Sequence, residues 1–213
     1  MKYDYSFNIS NTGYMNKEVK LSKKQKIYMP IKRAIDLFGS LFGIIVCFVF
    51  LWWWIILVNL FSSRGKPVFR QERVGRNGKV FKLLKFRTMK PDIDPNLTSF
   101  EISNVDCYTG FGKFLRKTSL DETLQLLNIF VGQMSFIGPR PLIDYRDDKI
   151  TNDIRKENGS ISLRPGLSGY AQVHGRTTVD PKHKAELDLY YFEHFSLLLD
   201  IKLFLLSIFK SFN

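Results

Sequence analysis

The sequence predicts an α+β protein, mostly helical, with an N-terminal re-entrant membrane helix, a small β-hairpin, a cytosolic helical domain and interfacial amphipathic helices. Three observations lead there. From Leu37 to Phe61 no side chain is charged, a run of roughly 25 residues that is long enough to cross a bilayer core. Val68-Phe69, Val80-Phe81 and Phe86 flank Gly75-Arg76-Asn77-Gly78, a hairpin turn signal. Leu120, Leu124, Leu127 and Phe130 then recur at helical spacing.

The elements divide into three stretches. Residues 1–25, rich in Asn, Lys, Ser and Tyr, read as a polar tail. Residues 26–64 form the membrane-embedded segment, its helix starting over 27–36 with Pro30 in the first turn. Lys20, Lys23, Lys24, Lys26, Lys32 and Arg33 precede the apolar run, and Arg64, Lys66, Arg70, Arg73 and Arg76 follow it. Cytoplasmic flanks collect Lys and Arg, so two basic flanks favour a segment that enters and returns on one face. Trp52, Trp53 and Trp54 sit in the second half, awkward for a straight crossing because Trp prefers headgroup level. No proline lies between Ile31 and Lys66 to break the helix, so a break must come from Asn59 or tertiary contacts, and a full span stays open.

Residues 65–213 make the cytosolic domain with its C-terminal interfacial helix. After the hairpin, 91–109 is Pro-, Asp- and Asn-rich loop. Helices are expected from about 110, from Ser119 to about Phe130 and over 182–193, with a polar amphipathic stretch at 144–158. From Phe195 to Phe212 the chain is Leu-, Ile- and Phe-rich with a narrow polar stripe of Ser196, Asp200, Ser207 and Ser211. That suits a helix in the membrane interface, and a core helix is the alternative.

The 213 residues carry a formal net charge of +12, which implies an anionic partner: phosphate-bearing substrate, lipid headgroup or nucleic acid. Two cysteines, Cys47 and Cys107, give no disulfide framework and fit a reducing compartment. The apolar run starts too late and is too long for a secretory signal. His174, His183 and His194 lack metal-ligand spacing, and there is no Walker loop or G-x-G-x-x-G.

Three segments carry chemistry. In Arg116-Lys117-Thr118-Ser119-Leu120-Asp121-Glu122, Ser119 and Glu122 have capping-box spacing, and the carboxylates then merely complement a helix dipole. On local sequence the capping reading is the commoner one; the same physics also allows an anion site at a helix start, with two carboxylates to hold a divalent cation or attack phosphorus. Gly138-Pro139-Arg140-Pro141 presents Arg140 from a stiff backbone, suited to bidentate phosphate contact or simply to a surface turn. Arg164-Pro165-Gly166-Leu167-Ser168-Gly169-Tyr170 suggests a type II turn at Pro-Gly and close backbone approach at Gly169, with Arg164 and Arg176 bracketing the loop. Tyr170 could stack on a base or pack internally. Gly39 and Gly43 form a G-x-x-x-G helix-packing signal.

Together these segments resemble the bacterial sugar transferase family, the monotopic phosphoglycosyl transferases, in a short form without an extra N-terminal membrane domain. The matching residues are Lys32-Arg33-Ala34-Ile35-Asp36, Gln71-Glu72-Arg73-Val74-Gly75, Lys85-Phe86-Arg87-Thr88-Met89, Ser119-Leu120-Asp121-Glu122, Asn128 to Pro141, Arg164 to Arg176 and Glu186 to Tyr191. The resemblance implies transfer of a sugar 1-phosphate from a UDP-sugar to polyprenol (undecaprenyl) phosphate, giving polyprenyl-diphosphate-sugar and UMP. It implies a ping-pong route with Mg²⁺, initiating surface glycan synthesis. Carried over residue by residue, Asp121 is the nucleophile and Glu122 completes the dyad, both at the metal. Arg116, Arg140, Arg164, Arg176, Lys85 and Arg87 contact phosphates, and Pro165, Gly166 and Gly169 form a nucleotide-sugar loop. The implied place is the bacterial inner membrane, on the inner leaflet with the catalytic domain facing the cytoplasm. No nucleic acid partner is implied, and a homodimer is left open. A membrane-tethered basic module for anionic lipid or nucleic acid is the competing reading, and it gives no reason for Asp121-Glu122 beside Arg116.

Overall fold

The computed structural model describes residues 21–63, 66–90, 93, 107–175 and 180–212. Helix α1 spans Lys23–Cys47, a π-type turn follows at Phe48–Trp52, and α2 runs Trp53–Ser63. Strands β1 (Val68–Val74) and β2 (Val80–Phe86) come next, then α3 (Gly110–Lys117), a 3₁₀ turn at Leu120–Leu124 and α4 (Gln125–Phe130). They are followed by β3 (Ser135–Ile137), α5 (Arg146–Glu157), β4 (Gly166–Ser168), α6 (Tyr170–His174), α7 (Pro181–His194) and α8 (Leu197–Phe212). The mostly helical chain with one long apolar N-terminal helix and a small antiparallel hairpin agrees with the sequence. The parallel pair of β3 and β4 was not anticipated, being only three residues per strand.

α1 begins earlier than expected. Ser22 and Gln25 form a reciprocal capping box, so the helix starts at Lys23 and Pro30 falls inside it. Along the helix one stripe is buried: Gln25, Tyr28, Asp36, Ser40 and Cys47, then Trp52, Ile55 and Asn59. The step from Cys47 to Trp52 is five residues. A π turn accommodates one extra residue, which keeps Trp52 on the inward face. Gly39 and Gly43 lie along the same contact: an added Cβ would meet Phe136 at 2.9 Å and Leu126 at 3.0 Å. The G-x-x-x-G signal therefore marks packing onto the domain, not onto a second membrane helix. Asn59 does not break the helix; it is buried and its Nδ2 donates to Arg87 O at 3.0 Å.

The main core joins this stripe to the hairpin and the α3–α4 region through Trp52, Ile55, Phe81, Leu83, Phe86, Leu115 and Ile129. A second core gathers Tyr28, Ile137, Tyr191, Phe192, Phe195 and Leu203. The β1–β2 register pairs Arg73 with Phe81, Gln71 with Leu83 and Phe69 with Lys85, so these six share one face. The expected continuous helix from Ser119 is instead a 3₁₀ turn followed by a short α-helix. Ser119 is left-handed (φ 55°) and makes no side-chain cap bond, so the capping box read there is absent. The expected type II turn at Pro165-Gly166 is also absent: Gly166 opens β4 and pairs with Ser135.

Of the polar stripe, Asp200 on α8 turns inward, while Ser196 before it is exposed and Ser207 is half-buried. Asp200 is buried, accepting from Tyr28 Oη at 2.7 Å and Tyr191 Oη at 2.6 Å while paired to Lys32. The outer face carries Leu198, Ile201, Phe204, Leu205 and Phe209, all exposed. Among the described residues, sixteen exposed large apolar side chains lie on the long N-terminal helix and seven on α8, against six elsewhere. Exposed apolar surface is thus concentrated on these two elements.

Candidate active site

The site forms where the α3–α4 connection crosses the inner face of the hairpin. Leaving α3, the chain reverses through left-handed Ser119 and enters the 3₁₀ turn carrying Asp121 and Glu122. Asn128 locks this region to β2: its Oδ1 accepts from Leu84 N at 3.1 Å and its Nδ2 donates to Lys82 O at 2.9 Å. That clamp sets the next β2 residue against the acid pair, and Lys85 Nζ donates to Glu122 Oε1 at 2.6 Å. From the other side Trp52 Nε1 donates to Thr123 Oγ1 at 3.1 Å, so the long apolar helix touches the turn directly.

The two acids differ. Burial raises the Asp121 carboxyl above its ordinary range, with Glu122 adding to the rise while Lys85 and Arg116 oppose it. Burial pushes Glu122 upward as well, but Lys85, Arg140 and Arg116 outweigh it and its pKa falls below the usual value. Among the described residues no other side chain hydrogen-bonds to Asp121. A buried carboxylate that is poorly solvated and not tied down by neighbouring side chains is the more nucleophilic of such a pair.

Arg140 is delivered by a braced turn. Gly138, Pro139 and Pro141 are buried while the Arg140 side chain is exposed. Ser135 N donates to Pro165 O at 2.9 Å, Gly166 N to Pro139 O at 2.8 Å and Gly138 N to Ser168 O at 2.9 Å. The backbones approach so closely that a Cβ on Gly166 would stand 2.1 Å from Gly138 N, and one on Gly169 2.1 Å from Gly138 O. Close approach at Gly169 was expected, and it is made to the chain's own backbone. Arg155 Nη1 donates to Arg140 O at 3.0 Å while its other nitrogens hold buried Asp188. The turn is therefore held from beneath by an ion pair.

The sequence expectations divide in space. Asp121, Glu122, Lys85, Arg116 and Arg140 come together, as their mutual electrostatic influence records. Arg116 also lies over the Tyr108 ring, 4.7 Å from its centroid. Arg87 is turned away, donating through Nε to Lys66 O at 2.8 Å. Arg164 lies beside Arg76, Arg33 and Asp36 instead. Pro165, Gly166 and Gly169 serve the backbone packing under Arg140. Arg176 lies outside the described residues. Tyr170 stacks on His174 at 4.0 Å and meets Tyr190 at 4.7 Å.

One residue of the cluster was missed. Arg73 on β1 donates through Nη1 to Pro141 O at 3.3 Å, and burial together with Arg140 lowers its pKa to about 10, with Asp148 and Glu122 opposing. The strand period was the available signal, because it puts Arg73 and Lys85 on the same face as buried Phe81 and Leu83. With Asp148, which pairs with Arg73, the cluster holds four cations against three carboxylates, a surplus of positive charge suited to a diphosphate. Among the described residues no group of three or more His, Cys, Asp or Glu side chains converges on a metal-sized space. Asp121 and Glu122 are the two carboxylates here that could hold a cation, and a site of one or two carboxylates would need substrate phosphates to complete a divalent ion's shell.

Residues 27–213 match the family model described as bacterial sugar transferase. The chain is 37% identical over 186 residues to the uncharacterized sugar transferase EpsL of Bacillus subtilis, covering 85% of this chain and 87% of that protein. It is 33% identical to the galactosyl transferase CpsE of Streptococcus agalactiae, over 85% of this chain and 42% of that one. It is 37% identical to the UDP-glucose:undecaprenyl-phosphate glucose-1-phosphate transferase of Escherichia coli, over 74% of this chain and 35% of that protein. The chain thus spans less than half the length of the latter two.

Proposed function

The chain belongs to the bacterial sugar transferase family and is, with it, a phosphoglycosyl transferase; we propose that it moves a sugar 1-phosphate from a UDP-sugar to polyprenol phosphate through an aspartyl intermediate. The observation that carries this is Asp121: a buried carboxylate, bonded to no other side chain among the described residues, with Lys85 and Arg116 acting on it directly and Arg140 and Arg73 acting on its neighbour Glu122. Asp121 Oδ attacks the sugar-bearing phosphorus. The bond from that phosphorus to the bridging oxygen breaks, and UMP leaves with the electron pair. The phosphate oxygen of polyprenol phosphate then attacks the same phosphorus, and the Asp121 carboxylate departs unchanged. The four cations hold the diphosphate and stabilise charge on the departing oxygen. Glu122, kept ionised by Lys85, completes the pair that would hold Mg²⁺. When bound, that ion would offset phosphate charge. In the family reading of Arg87, Arg164 and Arg176, Arg87 and Arg164 are the ones whose observed engagement gives no support for contact with the reacting phosphates.

The placement we propose is monotopic, on the inner leaflet of the bacterial cytoplasmic membrane with the site facing the cytoplasm. Both halves of the long helix are pinned to the same domain. Arg33 donates to Ile129 O and Phe130 O at 2.7 Å each, and Lys32 pairs with Asp200. At the end of the π turn and beyond it, Trp52 and Asn59 hold Thr123 and Arg87. A charged domain cannot lie on both faces of a bilayer, so contacts at both ends favour one-sided insertion over a full span. Single cysteines at Lys24 and Lys66, in a Cys47→Ser, Cys107→Ser background, should be labelled from the same side of sealed vesicles. Labelling from opposite sides contradicts the placement.

The activity is tested by UMP release from a panel of UDP-sugars with Mg²⁺. Sustained release that depends on polyprenol phosphate is expected for at least one donor. Salt-sensitive duplex binding with no release from any donor would favour the basic-module reading instead.

A further inference from the structure

A second basic centre lies apart from the acid pair, where α1 enters its charge-free run. Lys32 and Asp36 on α1, Arg76 at the hairpin turn and Arg164 before β4 line one cleft, with Ser135 and Phe195 in its wall. Arg33 stands close enough to Arg164, as Arg76 does, to disfavour its protonation further after burial has done so. Neither Asp121 nor Glu122 feels these arginines among its principal influences.

The two arginines at the cleft are anchored in the same way. Arg76 Nε donates to Ser162 O and Arg164 Nε to Gly132 O, each at 2.9 Å. Among the described residues their Nη atoms have no protein partner. An arginine fixed at Nε with its Nη pair open presents a planar fork that matches phosphate oxygens. The local countercharge is already committed. Asp36 accepts from Ser135 Oγ at 2.9 Å and Phe136 N at 3.0 Å, and Asp200 is taken by Lys32, Tyr28 and Tyr191. Lys32, Arg33, Arg76 and Arg164 against Asp36 and Asp200 leave two positive charges in excess.

The position narrows the ligand. α1 walls the cleft, and the Lys32–Asp200 pair ties α8 to it at this level. These are the two elements with exposed apolar faces, and Leu37 begins the uncharged run directly after Asp36. Basic side chains at the end of a membrane-embedded segment sit at headgroup depth. We propose that this cleft binds a lipid-borne phosphate, held by the forks of Arg76 and Arg164, with the chain of the lipid lying along the apolar faces of α1 and α8. The inference rests on the membrane placement above and not on the chemistry at Asp121. Phospholipid headgroups and polyprenol phosphate both present this group.

Native mass spectrometry of the detergent-purified full chain, titrated separately with phosphatidylglycerol, undecaprenyl phosphate and inorganic phosphate, tests it. Wild type should retain one lipid, and Arg76→Gln should weaken that retention at least about tenfold. Arg76→Lys, which keeps the charge without the fork, should fall between. Retention of phosphatidylglycerol supports a resident membrane lipid, and retention of undecaprenyl phosphate alone supports a staging site for the acceptor. Equal retention by wild type and a folded Arg76→Gln protein overturns the proposal, as does binding of inorganic phosphate with neither lipid retained. Asp121→Asn should bind lipid here as wild type does, so failure of this site and failure of the catalytic reading are separable.

Discussion

Asp121 and Asp200 are both buried aspartates in a basic neighbourhood, and they are held in opposite ways. Asp200 accepts from two tyrosine hydroxyls and is paired with Lys32, which fastens α8 to α1. Asp36 and Asp188, the other buried aspartates among the described residues, are likewise engaged, by Ser135 and Phe136 and by Arg155. Asp121 has cations near it and no other side chain bonded to it. Three carboxylates join elements together. The fourth is kept unsolvated and available, a cost in stability that fits a nucleophile.

The largest effect that sharpens this contrast is on turnover. Asp121→Asn should lose about 10⁴-fold or more in kcat, since an amide cannot form the intermediate; UMP release checks it. Residual activity near wild type would place Asp121 with the structural aspartates. Next in size, Asp188→Asn should destabilise the fold by about 3–5 kcal/mol in denaturant unfolding, because it leaves Arg155 buried without its counter-ion. Arg155 also braces Arg140 through its carbonyl, so activity should fall with stability.

The smallest effect has the opposite sign. Burial raises the folded-state pKa of Asp121, so its ionisation opposes folding, and stability is lost as pH rises through that raised value. Asp121→Asn should therefore raise Tm by a few degrees, about 2–4 °C, at neutral pH. The gain should shrink as pH falls into the ordinary carboxylate range and Asp121 is protonated in both states. A lower Tm for the variant at neutral pH would mean that the wild-type carboxylate is stabilised by contacts, as Asp200 is.

The same contrast explains what the sequence made legible. The hairpin was readable because Gly75 to Gly78 punctuates two apolar strands, and α7 and α8 because their periods run long. Asp121 and Glu122 were readable as an adjacent acid pair beside basic residues. Short elements misled: Ser119 has capping-box spacing but takes a left-handed turn, and Gly166 follows proline but pairs as a strand. At Gly166 tertiary packing overrides local turn chemistry, because the Gly138 backbone needs a neighbour without a side chain. The polar stripe of α8 was visible, but the burial of Asp200 within it was not, since only the fold brings Tyr28, Lys32 and Tyr191 to Asp200. Arg164 and Arg140 look alike in sequence, each beside a proline; only packing separates one into the acid site and the other into the cleft on α1.

The central claim is that Asp121 carries the phosphosugar. The most direct measurement is intact-protein and peptide mass spectrometry after mixing the enzyme with an accepted UDP-sugar and Mg²⁺ and no polyprenol phosphate. The account predicts an added sugar phosphate on the peptide containing Asp121, with about one UMP released per enzyme, and loss of the adduct when polyprenol phosphate is supplied. UMP release only when both substrates are present, with no adduct at any time, would contradict it.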